Sequence, residues 1–240
     1  MKKSLLLLSI IASLSIHAGV SIKNGNFWMS YVDIVVPGGG DSLEIKRTFN
    51  SVSSHDGWFG YGWANKFETF LKTSADGAVV VNQGGAGSQM RFLPKTGADL
   101  KLAADKIIAA IKVKKQLSAA AEQTLREKMN NDASFRHTLA TNFGVAATAK
   151  EGDIYYSNSV GAQTLVKTKD GWVRDLGVGT KQYFNQKGLL VKEVGSNGYA
   201  LDIVYDEKNL VKTIKDNFAK QLFFSWYSNG KVKEIWSAGD

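Results

Sequence analysis

A short motif recurs near the carboxyl end of this chain, at a spacing that few architectures produce. In each of three copies a lysine stands two positions before Val or Ile, and the copies begin at Lys192, Lys212 and Lys233. A polar turn precedes each copy, and an aromatic residue precedes each turn: Phe184, Tyr205 and Tyr227. Units of about 20 residues that alternate turns with short strands are β-hairpins, and one hairpin cannot bury its own apolar face. The hairpins are therefore expected to stack side by side in a sheet.

The amino-terminal part of the chain has the same β character without the repeat. Residues 43–49 alternate apolar and polar side chains with period two, and residues 66–73 alternate similarly. Asp76 and Gly77 predict a hairpin turn into the apolar run 78–81. The 24 glycines supply turns, and an aromatic content of 11% favours pleated sheets. We predict a mainly β fold, in which antiparallel hairpin repeats form an extended or wrapped sheet.

Residues 99–148 interrupt this β pattern with an α-helical insert. Apolar residues recur there at three- and four-residue spacing: Leu100, Ala103, Ala104, Ile107, Ile108 and Ile111. Ser118 is the expected N-cap of a second helix, and Asp132 or Ser134 that of a third, which Gly144 ends. The prediction is a helical hairpin or three-helix insert between two β regions.

The two β regions, 19–98 and 149–240, are expected to form one sheet. Three hairpins alone would leave unpaired strand edges that invite aggregation. The predicted organisation is therefore a signal peptide (1–18), an amino-terminal β region, the insert, and the β-hairpin repeats.

The amino terminus has the three parts of a secretory signal peptide. Lys2 and Lys3 form a basic head, an apolar run covers 5–16, and Ala18 is a small residue before a cleavage point. The apolar run is too short to span a bilayer comfortably, so cleavage is favoured over anchoring. We expect residues 1–18 to be removed. The product would be exported, as a periplasmic, cell-surface or secreted protein without a transmembrane segment.

Charge and cysteine content exclude several classes of function. The formal net charge is +8, but the basic residues are scattered among Asp and Glu, whereas nucleic-acid binders concentrate them in a stripe. The nearest cluster, Lys112, Lys114 and Lys115, is better explained as the exposed end of a helix. Without cysteine, the chain has no disulfide, thiol nucleophile or thiolate metal site. Nucleic acid is therefore not an expected partner.

The histidines and glycine-rich runs do not form a recognisable catalytic pattern. Around His55 the run Ser-Ser-His-Asp is contiguous, which indicates a turn and not a triad assembled in space. His137 lies in the predicted insert, and two histidines in different regions make a poor zinc site. The glycine runs at 38–40 and 84–87 lack the Lys-Ser/Thr pair of a phosphate loop. We predict no enzyme activity, and no catalytic, cofactor or metal residue.

Four closely spaced aromatic residues are the candidate contacts with a ligand or partner: Trp58, Phe59, Tyr61 and Trp63. Exposed aromatic side chains can stack on sugar rings or anchor a partner protein. Glycines separate them, and the favoured alternative is a buried tight turn that closes the sheet.

Two segments resemble the RHS family, also called YD-repeat proteins. The run 205–214, Tyr-Asp-Glu-Lys-Asn-Leu-Val-Lys-Thr-Ile, resembles the family's tyrosine–aspartate repeat, with Asn209 in the position of its glycine. The strand 43–51, which contains Arg-Thr-Phe-Asn-Ser, and the following Gly-Trp-Phe-Gly-Tyr-Gly-Trp at 57–63 resemble the segment that opens many RHS proteins. There Phe49 replaces the usual tyrosine. The insert is not part of the family pattern.

The resemblance implies an exported bacterial protein whose hairpins wind into a β-sheet shell or spiral. In that family, long repeat arrays encapsulate a carboxyl-terminal toxin or present an adhesive surface. The leading hypothesis is thus a non-enzymatic scaffold or adhesive surface that meets a protein or glycan of the cell envelope. One alternative is the plug or shell segment of a larger toxin-delivery protein, with repeats continuing beyond Asp240. Another is a carbohydrate-binding module or carbohydrate-active enzyme.

Overall fold

The computed structural model describes residues 17–23, 25–38, 41–84, 88–157 and 162–238. Most of the predicted signal peptide, and parts of both glycine-rich runs, lie outside these ranges. The first described strand contains His17 and Ala18, so cleavage after Ala18 would leave only Gly19 and Val20 of it. None of the helices in the described ranges has the length and hydrophobicity of a membrane-spanning segment.

The predicted fold class is confirmed, because antiparallel strands dominate and a three-helix insert interrupts them. The strands are β1 (His17–Val20), β2 (Phe27–Val36), β3 (Leu43–Asn50), β4 (Asp56–Gly57), β5 (Gly60–Tyr61), β6 (Trp63–Asn65), β7 (Phe70–Thr73), β8 (Val79–Gln83), β9 (Ser88–Pro94), β10 (Ile154–Ser157), β11 (Thr164–Thr168), β12 (Gly171–Asp175), β13 (Lys181–Asn185), β14 (Leu190–Val194), β15 (Ala200–Tyr205), β16 (Val211–Asp216), β17 (Gln221–Trp226) and β18 (Val232–Ser237). The helices are α1 (Leu100–Lys114), α2 (Ala119–Asn131) and α3 (Ala133–Asn142).

Strands β7 to β18 form one twelve-stranded sheet in strict chain order. The insert leaves this sheet after β9 and returns at β10, and these two strands pair directly, with Tyr155 opposite Pro94. The expectation that regions 19–98 and 149–240 form one sheet is therefore confirmed only for β7 to β9, because β1, β2, β3 and β6 form a separate sheet.

A smaller sheet, in the order β1-β2-β3-β6, covers the inner face of the large one. Leu43 and Ile45 of β3 are fully buried, and they belong to the same apolar core as Phe184, Ile214 and Leu222 of the large sheet. Both sheets thus bury their apolar faces in one shared core.

The large sheet curls so that its first strand, β7, contacts the turn between β13 and β14, near the middle of the sheet. The Leu71 amide of β7 donates a hydrogen bond to the Gly188 carbonyl at 2.8 Å, and Phe70 bridges to Leu189. A Cβ at Gly188 would lie 2.2 Å from the Leu71 carbonyl oxygen, so only glycine permits this approach. The sheet is therefore wrapped rather than extended.

The three carboxyl-terminal hairpins repeat the same backbone geometry. A register shift precedes the aromatic residue of each hairpin, which pairs as Phe184 with Leu190, Tyr205 with Val211, and Trp226 with Val232. The turns place Gly188, Asn209 and Gly230 at positive φ, of 79°, 62° and 77°. The prediction of hairpin units is confirmed, with equivalent residues 21 positions apart.

The prediction of Tyr227 as the third aromatic of the repeat is wrong. Trp226 occupies the position of Phe184 and Tyr205, while Tyr227 begins the turn. Its amide donates to the Lys231 carbonyl at 2.9 Å, as the amide of Asp206 does to Leu210 at 2.8 Å. The sequence alone does not show whether Trp226 or Tyr227 is the aromatic residue of the repeat, because the two are adjacent and both are aromatic.

The repeated aromatic residues join each hairpin to the one before it. The Tyr205 hydroxyl donates to the Leu190 carbonyl at 2.8 Å, and the Trp226 indole N–H donates to the Val211 carbonyl at 2.7 Å. Leu190 and Val211 are themselves equivalent positions of successive hairpins. Burial raises the pKa of the Tyr205 hydroxyl further above neutral pH, so the hydroxyl remains a donor even in alkaline solution.

A second correction concerns residues 66–73, where the sequence pattern predicts a single strand. Residues Lys66–Glu68 form a 3₁₀ turn, and the strand begins only at Phe70. The Asn65 side chain accepts from the Phe67 amide at 2.8 Å, and the Glu68 carboxylate accepts from the Asn65 amide at 3.1 Å. This reciprocal cap stabilises the turn against the extended alternative.

The large sheet buries an arginine among amide side chains. Arg174 is 1% exposed, and its guanidinium donates to the side-chain oxygens of Gln163 at 2.8 Å and Gln182 at 3.1 Å. It also lies 5.6 Å from the centre of the Phe92 ring. Burial lowers the pKa of Arg174 to about 10, against the opposing effect of nearby Glu193.

The insert has its own apolar core, which includes Ile107, Ile108 and Met129. Ser118 caps α2 as predicted, and Asp132 caps α3, so the alternative Ser134 is excluded as the cap. A buried carboxylate, Asp76, in the β7–β8 turn, joins this insert to the sheet.

Asp76 is 2% exposed and is paired with Arg91 of the sheet and Arg136 of α3. Burial by itself would raise the pKa of Asp76, but Arg91, the Ala78 amide and Arg136 together hold the pKa below its usual value. Because the folded-state pKa lies below the unfolded one, the stabilisation is present above about pH 4 and is lost as the pH falls through the folded value.

We predict that Asp76→Asn lowers the free energy of unfolding at pH 7 by about 3 kcal/mol, because two guanidinium groups lose their buried partner. Urea unfolding at pH 7 and pH 3 measures this, and the difference from wild type should shrink at pH 3. Asp105→Asn is the control, since Asp105 pairs with Arg126 at the surface and should contribute less than about 1 kcal/mol. Equal losses in the two variants would contradict the role of Asp76.

We predict that Ala219→Gly stabilises the protein by about 0.5 kcal/mol, because Ala219 adopts φ 67° in the β16–β17 turn. Gly198 is the equivalent residue in the turn between β14 and β15. It has φ 80°, and a Cβ at that position would meet no heavy atom within 4 Å. Gly198→Ala should therefore destabilise by about 1 kcal/mol through backbone conformation alone. Urea midpoints that moved in the same direction for both variants would contradict this explanation.

Candidate docking and binding site at the glycine-tryptophan segment

The segment 55–63 folds into a tight ribbon, formed by β4 and β5, that leads into β6. Gly60 and Gly62 have φ 103° and 77°, a backbone region that favours glycine. A Cβ at Gly57 would lie 2.2 Å from the Glu68 Oε2 atom and 2.5 Å from the Trp63 carbonyl oxygen. Glycine at position 57 thus lets the ribbon pack directly against Glu68 and Trp63, as expected for a buried turn.

Trp58 contacts the last hairpin of the large sheet. Its ring packs edge-on against Trp226 at 5.4 Å and Phe224 at 5.7 Å between ring centres. Its carbonyl accepts a hydrogen bond from the Val232 amide at 2.9 Å. Phe59 also packs against the shared core. These two candidate residues therefore hold the ribbon on the repeats.

Trp63 belongs to a different cluster, on the small sheet. Its ring lies 5.3 Å from Phe49 and 6.0 Å from Tyr31, and the Arg47 guanidinium lies 5.0 Å from the Trp63 ring centre. The Nε atom of Arg47 is 2.8 Å from the Asp33 carboxylate. This arginine and its aromatic neighbours are half-buried and mutually stacked, so their faces are largely occupied within the chain.

Tyr61 is the one predicted contact residue that is mostly solvent-exposed, at 66%. The four predicted residues are therefore not one surface. Trp58 and Phe59 pack inward, Trp63 stacks within the small sheet, and Tyr61 projects into solvent. Their prediction as ligand or partner contacts stays a prediction, most directly for Tyr61.

The base of the ribbon contains a buried carboxylate that sequence reasoning missed. The Glu68 side chain is 3% exposed and lies 3.0 Å from His55 Nε2. It accepts further hydrogen bonds from the Trp58 amide at 2.9 Å, and from the Asn65 amide and side chain at 3.1 and 2.9 Å. The Asn-x-x-Glu spacing at 65–68 was the available signal, because it fits a capping box.

The pair formed by His55 and Glu68 has the composition of two members of a catalytic triad. A carboxylate that orients a histidine ring needs a nucleophile on the other ring nitrogen. Here both oxygens of Glu68 are engaged by groups of its own segment, and the pair lines a cleft of about 310 Å³ together with Tyr205, Asn209 and Lys231. The arrangement fixes the ribbon opposite the repeat turns.

Two lysines of the repeats hold the amino-terminal region at its two ends. Lys231 pairs with the Asp56 carboxylate and donates to the Gly57 carbonyl at 2.9 Å. At the opposite end of the sheet, Lys220 donates to the Asp41 carbonyl at 2.7 Å. Asn197 also donates to the Asp41 carboxylate, at 3.3 Å. Polar and ionic contacts therefore hold the small sheet on the repeats in addition to the apolar contacts of the shared core.

Metal binding finds no support in the described part of the chain, where no group of three His, Asp or Glu side chains could hold an ion. His137 lines a separate cleft between α3 and the large sheet.

Residues 18–92 match the model of a protein family that is described as a domain of unknown function, DUF6531. That range spans the small sheet, the glycine-tryptophan ribbon and most of β7 to β9. Two curated relatives are the tRNA nuclease WapA of Bacillus subtilis (strain 168) and the tRNA(Glu)-specific nuclease WapA of Bacillus subtilis subsp. natto (strain BEST195). Each is 31% identical over 103 residues, which is 40% of this chain. The similarity covers about 4% of the length of each relative.

We predict that Trp58→Ala lowers the free energy of unfolding by about 2 kcal/mol, because two aromatic contacts with the last hairpin are lost. Tyr61→Ala, three positions away in the same ribbon, should change it by less than about 0.5 kcal/mol. Urea unfolding followed by tryptophan fluorescence and by circular dichroism measures both. A larger loss for Tyr61→Ala would show that the ribbon docks differently.

Proposed function

We propose that this chain is a non-enzymatic scaffold of the RHS type, in which the amino-terminal region covers the inner face of a sheet built from hairpin repeats. The observation that carries this proposal is the docking of the glycine-tryptophan ribbon and the β2–β3 turn onto opposite ends of the same repeats. The contacts are apolar, polar and ionic, and two of the residues involved, Gly57 and Trp58, also belong to a segment that carries the family resemblance.

The repeat geometry supports a shell that can be extended. Within the described residues, β18 has no strand partner on its outer side. In a longer protein, a further hairpin would add there with the same register, and its aromatic residue would donate to the Val232 carbonyl as Trp226 does to Val211. The role of covering segment in a larger RHS toxin-delivery protein is thus compatible with the scaffold proposal.

The nuclease activity named for the WapA relatives is not part of the proposal. The matched region is a small fraction of those proteins, and the Glu68 carboxylate of this chain is engaged by structural partners. The proposal includes export to the cell envelope, which rests on the basic head and the apolar run at 5–16.

The scaffold role predicts that both sheets unfold in one transition, because they share one core. Lys231→Met should lower the free energy of unfolding by about 1–2 kcal/mol through the lost contacts with Asp56 and Gly57. Lys233→Met is the matched control, since Lys233 lies exposed on the strand that follows Lys231. Hydrogen exchange across the urea transition reports each sheet separately. If the small sheet unfolded independently at lower urea, it would not be a cover of the repeats.

An activity assay tests the non-enzymatic part of the proposal. The purified chain is incubated with total tRNA, and cleavage is expected to stay at the level of the buffer control. Cleavage that was lost in His55→Gln and kept in His137→Gln would replace the scaffold with an enzyme centred on the ribbon.

A further inference from the structure

The outer face of the small sheet carries a groove of about 560 Å³ that the docking contacts do not use. Along β3, Leu43 and Ile45 point into the core, so Glu44, Lys46 and Thr48 share the opposite face. Trp28 and Ser30 of β2 lie on that same face, opposite Asn50 and Thr48. These side chains line the groove together with residues outside the two strands.

Trp28 offers a flat apolar surface in this groove. The side chain is 39% exposed, although it stands on a strand that pairs on both sides and not in a loop. A Cβ at Gly19 would lie 2.9 Å from three adjacent indole atoms, Cε2, Cζ2 and Nε1. The indole therefore packs directly on the backbone of Gly19, a residue that the expected cleavage after Ala18 retains, and any larger residue at position 19 would displace the indole. The geometry fixes an aromatic platform at the end of the groove.

Polar groups of both hydrogen-bonding types surround the platform. The Ser30 and Thr48 hydroxyls are 2.9 Å apart, and Ser30 is 5% exposed at the groove floor. Glu44 supplies an acceptor, and Lys46 and Lys66 supply donors. An aromatic face beside mixed donors and acceptors matches a sugar ring, which has apolar C–H groups on its faces and hydroxyls at its edge.

The charges of the groove select among sugars, and the single aromatic residue that lines its described part disfavours nucleic acid. Two lysines and one glutamate give an excess of one positive charge, and Lys46 has no ion pair in the part of the chain that the structure describes. This favours a ligand with a carboxylate. Successive bases of a nucleic acid need several aromatic platforms, whereas Trp28 is the one aromatic residue among the described residues that line this groove.

We infer that this groove binds an acidic oligosaccharide, with one sugar ring stacked on Trp28 and a sugar carboxylate near Lys46 or Lys66. The inference goes beyond the scaffold role, because it assigns a ligand class to a face that the repeats leave uncovered. It concerns Trp28 and not the ribbon aromatics, and it does not depend on how the two sheets are joined.

The test uses oligogalacturonate as the acidic probe and its fully methyl-esterified form as the neutral match. Calorimetric titration of the purified chain should show binding of the acid form at least about fivefold tighter than the ester. Trp28→Ala should weaken acid binding at least about tenfold. Trp236→Ala is the matched control, since Trp236 is also 39% exposed but lies on β18, and it should leave binding unchanged.

Lys46→Met provides a second variant on an exposed side chain, so that a folding defect of Trp28→Ala does not decide the result. It should weaken the acid form severalfold and leave the ester unchanged, while Lys233→Met changes neither. Equal binding of acid and ester, or equal effects of the two tryptophan variants, would overturn the inference. So would tighter binding of oligo(dT), or no binding of either sugar. Each of these failures leaves the single unfolding transition of the scaffold proposal unaffected.

Discussion

The apolar inner face of a hairpin meander has to be covered, and this requirement organises the whole molecule. Each hairpin contributes one buried side to the large sheet, as Ile203, Ile214 and Leu222 show, whereas the helices of the insert pack into a core of their own. The small sheet supplies the missing layer through Leu43 and Ile45. Curling of the large sheet reduces the area left to cover, since β7 meets the β13–β14 turn. The amino-terminal region and the repeats are thus complementary halves of one core.

The ionic contacts have a different task from the apolar ones. Burial of apolar surface is non-directional and supplies the larger share of stability, whereas Lys220 and Lys231 contact defined oxygens at opposite ends of the repeats. They therefore set the register of the cover on the sheet. Asp76 does the same for the insert, because its carboxylate is shared between an arginine of the sheet and an arginine of α3. Arg174, in contrast, donates to Gln182 of β13 and to Gln163, which directly precedes β11.

Local patterns in the sequence predicted the elements well where one residue type has one dominant use. The period-two alternation at 43–49, the caps Ser118 and Asp132, and the hairpin repeat could all be recognised, because capping and alternation are properties of short segments. The errors arose where two local explanations competed. Adjacent Trp226 and Tyr227 both fit an aromatic before a turn, and the alternation at 66–73 hid the cap formed around residues 65–68. The curl of the sheet and the separation of the ribbon aromatics depend on contacts between distant segments, which spacing alone does not encode.

The order in which strands pair also determines how the molecule would respond to tension. In a chain-ordered meander, a pull applied beyond β18 loads the ladder with β17 at one end, where Ser237 pairs with Leu222. Its bonds would break singly, as in a zipper, and not all together as in shear. Resistance would rise near the turn, where Val232 meets Trp58 and the neighbouring lysine meets the ribbon. Threading through a narrow pore from this end would thus remove the sheet hairpin by hairpin, and the first hairpin to be removed would be the one that holds the glycine-tryptophan ribbon.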